Sequence, residues 1–534
     1  MTSYNENADT PSSTTSVLAI SMPVLVIASW ALFYIPRIFQ FGFYYDDWVD
    51  VVHWSLLPFG DVLNNWWSLN ASRPLAVLAS AILCKAIPAD PHAWQAINAG
   101  LMLGTSLVLY SIFRRLAGAK SYCATADIAA ASWLLMPWML GGSAWAVTFN
   151  GLACASLFAL SLRCMMSSKL AAILAGALLC LASFLFYEPF VFQFVFAFFL
   201  FRFSLARLGQ RGPKVTSLLL YGLAQVIGIA MNRILAAMVS SSAKPLNPKW
   251  PIYWVDSLIA IPRLLANSYP KYALIAAFLA LLIAAVLGEI ERAGVDYRRL
   301  ARGLFPTPLI LGAMLTGTLV YSVAGYGITG TGYGSRTSIG ISFWLAWGVF
   351  YAVTSANIWS GPRRLWNSSG LRHRYGYVLG VPFLGLLAVG LVDQHSIWAG
   401  ASREMKAVIG EAPSERLAKI PADAIIIYVG PSFYRGLQFL GDVEMTAALF
   451  REYPNLRKPL DGSPAQHQAY IAPALGQTIQ HYAVKGVGLR FRWTGHELVE
   501  EAPGYWTANF PAPQAWLWDF DHDVVRPVSP GETF

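Results

Sequence analysis

The chain has 534 residues, of which 56% are apolar and only 13% charged, with a mean hydropathy of +0.48. A soluble domain carries about 25% charge, so this composition excludes an ordinary soluble enzyme. The formal net charge of +9 does not indicate a nucleic-acid partner: the Lys and Arg residues cluster in short loops between apolar runs, the positive-inside pattern of a membrane protein.

Residues 1–16 are polar, Ser/Thr-rich and free of Lys and Arg. Without a basic leader region, the first apolar run reads as a retained anchor, and 1–16 as a cytoplasmic N-terminus. Apolar runs then predict spans at about 17–38, 94–116, 124–142, 145–164, 170–187, 189–207, 216–236, 270–290, 304–324, 337–357 and 375–393. With this assignment the basic loops all fall on one side. They are Arg114/Arg115/Lys120, Arg163/Lys169, Arg202/Arg207/Arg211/Lys214, Arg292/Arg298/Arg299/Arg302 and Arg363/Arg364/Arg372/Arg374. That side is the cytoplasm.

The segment "PLAVLASAILCKAIP" (74–88) decides the parity. As a helix it reaches roughly 22 Å, short of the ~30 Å hydrocarbon core. It is therefore expected to lie on the membrane surface or to be re-entrant, and residues 41–93 form one long external loop. The expected fold is an α-helical polytopic membrane protein with about 11 transmembrane helices, the catalytic part covering 17–393. Residues 394–534 are richer in polar residues and turns, with strand-like pieces "AIIIYVG" (424–430) and "VGLRFRW" (487–493). They read as a small soluble α/β domain on the external, periplasmic side. Cys84, Cys123, Cys154, Cys164 and Cys180 show no metal-ligand spacing and read as small buried residues.

Several polar groups gather at the external ends of the spans. Asp46 and Asp47 lie in "FGFYYDDWVD" (41–50), beside Trp48. Arg73 opens "SRPLAVL", Tyr187 and Glu188 end the fifth span, and Asn232 and Arg233 end the seventh. Tyr333 and Arg336 lie in "GYGITGTGYGSRTSIG", and Asp393 and His395 close the last span. Charges at such depth cost several kcal/mol unless paired or hydrated, so both signs together suggest a wet external cavity. Acids there can act as bases, and arginines can hold phosphate bidentately. The bland alternative is that these are interface anchors and ion pairs between spans. An Mg²⁺ or Mn²⁺ site on the Asp pair is the less favoured use, because few further carboxylates accompany it.

The series "YYDDW…SRPL…FYEP…GSR", with the long first external loop, the "FRRLAG" end of the next span and the external C-terminal domain, resembles the GT-C membrane glycosyltransferases. Within that class it is closest to the bacterial O-antigen-modifying (serotype-converting) glucosyltransferases. The resemblance covers about residues 17–393. It implies a polyprenyl-phosphate-linked sugar as donor and transfer at the periplasmic face of the bacterial inner membrane. The acceptor would be a glycan or a lipid-linked glycan, and no cofactor would be required. By the same resemblance Asp46 or Asp47 is the base, and Arg336, with Arg73 and Arg233, holds the donor phosphate. Glu188, Tyr187, Tyr333 and Trp48 contact substrate. An O-antigen polymerase or ligase using a lipid-diphosphate donor, and a non-catalytic lipid or glycan transporter, are the rival readings.

Overall fold

The computed structural model describes residues 23–44, 47–87, 89–118, 123–239, 247–324, 326, 333–359 and 375–411 of the helical part. Toward the C-terminus it describes 420, 424–430, 433–435, 437–438, 479–482, 491–500, 510–511 and 514–533.

Helices α1 (Val24–Phe33) and α2 (Ile35–Gln40) form one short bent segment. A π-helical turn (Trp48–His53), α3 (Phe59–Asn70) and α4 (Pro74–Ala86) follow. Then come α5 (Pro91–Ala117), α6 (Cys123–Leu135), α7 (Leu140–Ala144), α8 (Phe149–Met165), α9 (Leu170–Phe186) and α10 (Gln193–Arg207). The bundle is completed by α11 (Val215–Met238), α12 (Trp250–Leu258), α13 (Ala260–Asn267), α14 (Lys271–Ala293), α15 (Tyr297–Leu304), α16 (Pro306–Val323), α17 (Ile339–Ala356) and α18 (Tyr375–Glu411).

Local chemistry sets several of these boundaries. Asp90 caps α5, its carboxylate accepting the His92 N–H at 2.9 Å, and Pro91 occupies the first helical position. Gly118, with φ +76°, ends the same helix, a conformation that costs glycine nothing. Asp296 caps α15 through the N–H groups of Arg298 and Arg299.

Among the described residues, seven helices are long and apolar enough to cross a membrane, or eight if the pair Cys123–Leu135 and Pro137–Ala144, bent by 51°, counts as one span. The expected count of 11 is not borne out. Val24–Gln40 and Leu170–Phe186 reach the status of short apolar helices only. Seventeen residues extend about 26 Å, less than the hydrocarbon core. The α-helix is interrupted at Tyr34, between α1 and α2, and at 187–192, between α9 and α10. The segment at 74–88 folds as the 13-residue α4, too short to cross, as its length predicts. The last helix continues unbroken past 393 to Glu411.

The arginine-bearing ends meet at one end of the bundle. Glu289 of α14, whose side chain is 3% exposed, accepts from Arg292 at 3.2 Å and from Ser355 Oγ at 2.6 Å. Arg207 of α10 lies 3.8 Å from it and donates to the Arg302 carbonyl at 3.2 Å. Exposed apolar residues on α11 and α14, among them Leu219, Leu223, Leu279 and Ile283, suit a lipid-facing surface.

The C-terminal sheet has strand order β4-β1-β8-β9. Its strands are β1 (Ile425–Val429), β4 (Ile479–Tyr482), β8 (Ala515–Asp519) and β9 (Val524–Pro527). β1 runs parallel to β4 and β8, and β9 returns antiparallel to β8. The two-stranded β2 (Phe433–Tyr434) and β3 (Leu437–Gln438) and the three-stranded β5 (Phe491–Trp493), β6 (Glu497–Glu500) and β7 (Phe510–Pro511) flank it. Tyr428 and Trp518 join the helical core. Arg435, after β2, pairs with Asp393 of α18 at 3.7 Å.

Candidate functional site

A cavity of about 230 Å³ opens at the end of the bundle opposite the arginine–Glu289 cluster. Fifteen residues line it: Asp50 from the π-helical turn, Trp66 and Asn70 from α3, Arg73 and Ala76 at the start of α4, Val147 to Gly151 except Phe149 around the start of α8, Tyr187, Tyr321 and Tyr326, and Arg336, Thr337 and Ile339 around the start of α17. Gly151 packs closely there: a Cβ would lie 2.8 Å from Ile339 Cδ1 and would make that side chain shift.

Three of the residues anticipated from sequence meet at this cavity: Arg73, Tyr187 and Arg336. Glu188 binds from behind, Arg73 Nε donating to both of its carboxylate oxygens at 3.0 Å. Asn232 Nδ2 donates to the same carboxylate at 3.2 Å and to the Ser72 carbonyl at 3.0 Å. The Arg73 guanidinium also lies 4.5 Å over the Tyr187 ring. Burial alone would lower the basicity of Arg73, but the Glu188 charge outweighs it and holds the group above its ordinary value.

Arg336 is placed differently. Its guanidinium lies 4.9 Å over the Trp145 ring, and no carboxylate among the described residues pairs with it. Trp145 is itself fixed: its carbonyl accepts from Asn98 Nδ2 at 3.1 Å, and the neighbouring Ala144 carbonyl accepts from Gln95. The cavity thus holds one arginine already neutralised and one that is not.

Asp47 has a structural placement. It is 0% exposed and is not among the lining residues. Its carboxylate accepts the backbone N–H groups of Tyr44 (3.1 Å), Ala146 (3.1 Å) and Val147 (3.0 Å). Those bonds tie the first loop to the strip 145–151 that carries the Arg336 platform and half of the lining. A carboxylate so engaged fixes the first loop against that strip. Asp46 lies outside the described residues, as do the side chains of Trp48 and Tyr333.

Arg233 is exposed and is not among the lining residues. Asp393 and His395 act elsewhere: Asp393 pairs with Arg435, and the His395 ring packs edge-on to Phe41 at 4.8 Å. Both tie α18 to its neighbours rather than serving the cavity.

Sequence reasoning missed Asp50, Asn70, Asn150, Tyr321 and Tyr326. Asp50 was within reach, since it ends the same acidic decapeptide. The Asn150 Oδ1 atom is buried with no hydrogen-bond partner, while its Nδ2 lies 3.5 Å from Ser80 Oγ. Among the described residues no group of three or more His, Cys, Asp or Glu is arranged to hold a metal ion.

No protein-family model matches the chain, and no curated protein matches it in sequence.

Proposed function

We propose that this protein is an integral-membrane glycosyltransferase that moves a sugar from a polyprenyl-phosphate donor to a glycan or lipid-linked acceptor. The observation that carries this reading is Arg336: an un-neutralised guanidinium, held on an aromatic platform, in a polar cavity at the membrane edge. Such a group is suited to the charge that develops on a departing phosphate. Tyr187, Tyr321, Tyr326 and Trp66 supply aromatic faces of the kind on which sugar rings pack, and no nucleotide is needed because the lipid phosphate already activates the sugar.

The charge balance also favours a single phosphate. Glu188 offsets Arg73, so Arg336 is the lining arginine with no carboxylate paired to it among the described residues, which suits a single phosphate. The basic end of the bundle lies opposite, and the positive-inside rule makes that end cytoplasmic. The cavity then faces the periplasm of a bacterial inner membrane, and the apolar flanks of the bundle accommodate the lipid tail.

The test uses the full chain in nanodiscs with undecaprenyl phosphate as probe, beside mass spectrometry of envelope glycans from a strain lacking the gene. The expected results are saturable binding of the lipid and loss of one hexose-sized increment in the deletion strain. Arg336→Ala should weaken binding about 10- to 100-fold, as loss of a charge-assisted contact predicts. Binding that is unchanged by Arg336→Ala, together with unaltered glycans in the deletion strain, would sink the reading and favour a transporter.

A further inference from the structure

A displacement at a sugar carbon needs a group that takes the proton of the attacking hydroxyl, and Asp47 spends its carboxylate on three backbone N–H groups. We propose that Asp50, Asn70 and Asn150 form the acceptor subsite of the cavity, for a hydroxyl-bearing glycan, and that the Asp50 carboxylate takes the acceptor's proton. This rests on the glycosyl-transfer reading.

Asp50 is the one carboxylate among the fifteen lining residues. It sits in the π-helical turn Trp48–His53, and single π turns are rare and concentrate at functional sites. The turn is anchored, not loose. Val51 and Val52 are buried, and the Cys84 thiol of α4 donates to the Asp50 carbonyl at 3.4 Å. Burial pushes that thiol up to about 12, so it stays protonated and keeps the bond at neutral pH.

The second observation is the Asn150 amide. Asn150 lines the cavity, and its buried Oδ1 has no hydrogen-bond partner among the described residues. Buried polar atoms are nearly always satisfied, and a substrate hydroxyl supplies what is missing. Asn70 adds a further amide from α3. One face of α4 links these groups: Arg73 at its N-terminus, Ser80 against Asn150, and Cys84 against Asp50. Eleven residues of helix separate 73 from 84, about 16 Å of axis. The Arg73–Glu188 pair and the backbone of Asp50 are therefore anchored at opposite ends of α4, and both Arg73 and Asp50 line the cavity.

In the step itself the acceptor oxygen forms a bond to the anomeric carbon as that carbon's bond to the phosphate oxygen breaks. The bonding pair leaves with the polyprenyl phosphate, next to Arg336. The acceptor's proton passes to Asp50, which then releases it to the external solvent. The donor and the acceptor are the two substrates consumed, and no oxidant is required.

The experiment compares Asp50→Asn, Asp50→Glu and Asp46→Asn in the deletion strain, matched for membrane level, with undecaprenyl phosphate binding measured on each purified protein. Asp50→Asn should lower transfer about 100-fold or more, the usual size of a lost general base, while binding stays within about twofold, since the phosphate contacts are intact. Asp50→Glu, which keeps a carboxylate, should recover at least about a tenth of wild-type transfer. Wild-type transfer by Asp50→Asn overturns the proposal, most directly if Asp46→Asn is the inactive variant. Loss of both transfer and lipid binding in Asp50→Asn, with no recovery in Asp50→Glu, also overturns it and marks Asp50 as structural. A wild-type protein that neither binds the lipid nor alters the glycan fails earlier, at the glycosyl-transfer reading.

Discussion

The two ends of the helical bundle use the same ion types to opposite effect. At the basic end, Glu289 is buried among Arg207, Arg292 and Ser355, and the cluster locks α10, α14 and α17 together. At the cavity end, Glu188 accepts from both Arg73 and Asn232, but Arg336 lies on the Trp145 face with no carboxylate paired to it among the described residues. A protein gains nothing in stability by leaving a cation unpaired at a partly buried position. The contrast teaches where to look for function: at one end two arginines share a buried carboxylate and hold helices together, and at the other Arg336 borders an open cavity with no carboxylate paired to it among the described residues.

The strongest way to break the comparison is at the locked end. Glu289→Ala leaves Arg207 and Arg292 facing each other with their shared carboxylate gone, and should cost about 3–5 kcal/mol of stability, the usual penalty for removing one partner of a buried pair. Thermal unfolding of the detergent-solubilised protein reads it, and an unchanged midpoint would show that the cluster is not a lock. Arg336→Met supplies the counterpart. It should leave the unfolding midpoint within about 2 °C, as expected for a group with no ion-pair partner, while removing undecaprenyl phosphate binding. A large drop in midpoint would mean that Arg336 is structural after all.

Arg37 sharpens the same contrast. It is 3% exposed, stacks 4.0 Å over the Tyr34 ring, and none of its guanidinium nitrogens has a hydrogen-bond partner among the described residues. Unlike Arg336 it lines no part of the cavity. Arg37→Met should therefore stabilise the protein, by about 1–3 kcal/mol, because an apolar side chain of similar length avoids the desolvation of an unpaired charge. It should also leave lipid binding intact. Destabilisation of that size would reveal a counter-charge for Arg37.

The smallest effect lies in the C-terminal sheet. Arg526 donates to Glu532, and this bond holds the Glu532 carboxyl below its ordinary value of 4.5. A depressed carboxyl stabilises the fold fully above that ordinary value and loses its contribution as pH falls through the lower, folded value. Both side chains are partly exposed, so the contribution is under about 1 kcal/mol. Between pH 5 and pH 3, wild type should lose slightly more stability than Glu532→Gln, by tryptophan fluorescence. Parallel curves would remove the pair from the account.

Sequence alone determined that this is a membrane protein, because apolar runs and sparse charge leave no other solvent for it. It also determined that 74–88 is too short to cross, since helix rise per residue is fixed. Arg73, Tyr187 and Arg336 were legible as a group, because each stands at the end of an apolar run. The number of spans was not legible: apolar runs show where a span could lie, and only the folded chain shows how long each helix is. Nor could the sequence divide the acids of "FGFYYDDWVD". Asp47 and Asp50 are three residues apart and chemically identical. The fold alone gives Asp47 three backbone donors from a strip a hundred residues away, and gives Asp50 a wall of the cavity. Such long-range backbone contacts have no local signature, so the tertiary structure decided which acid is tied to backbone donors and which one lines the cavity.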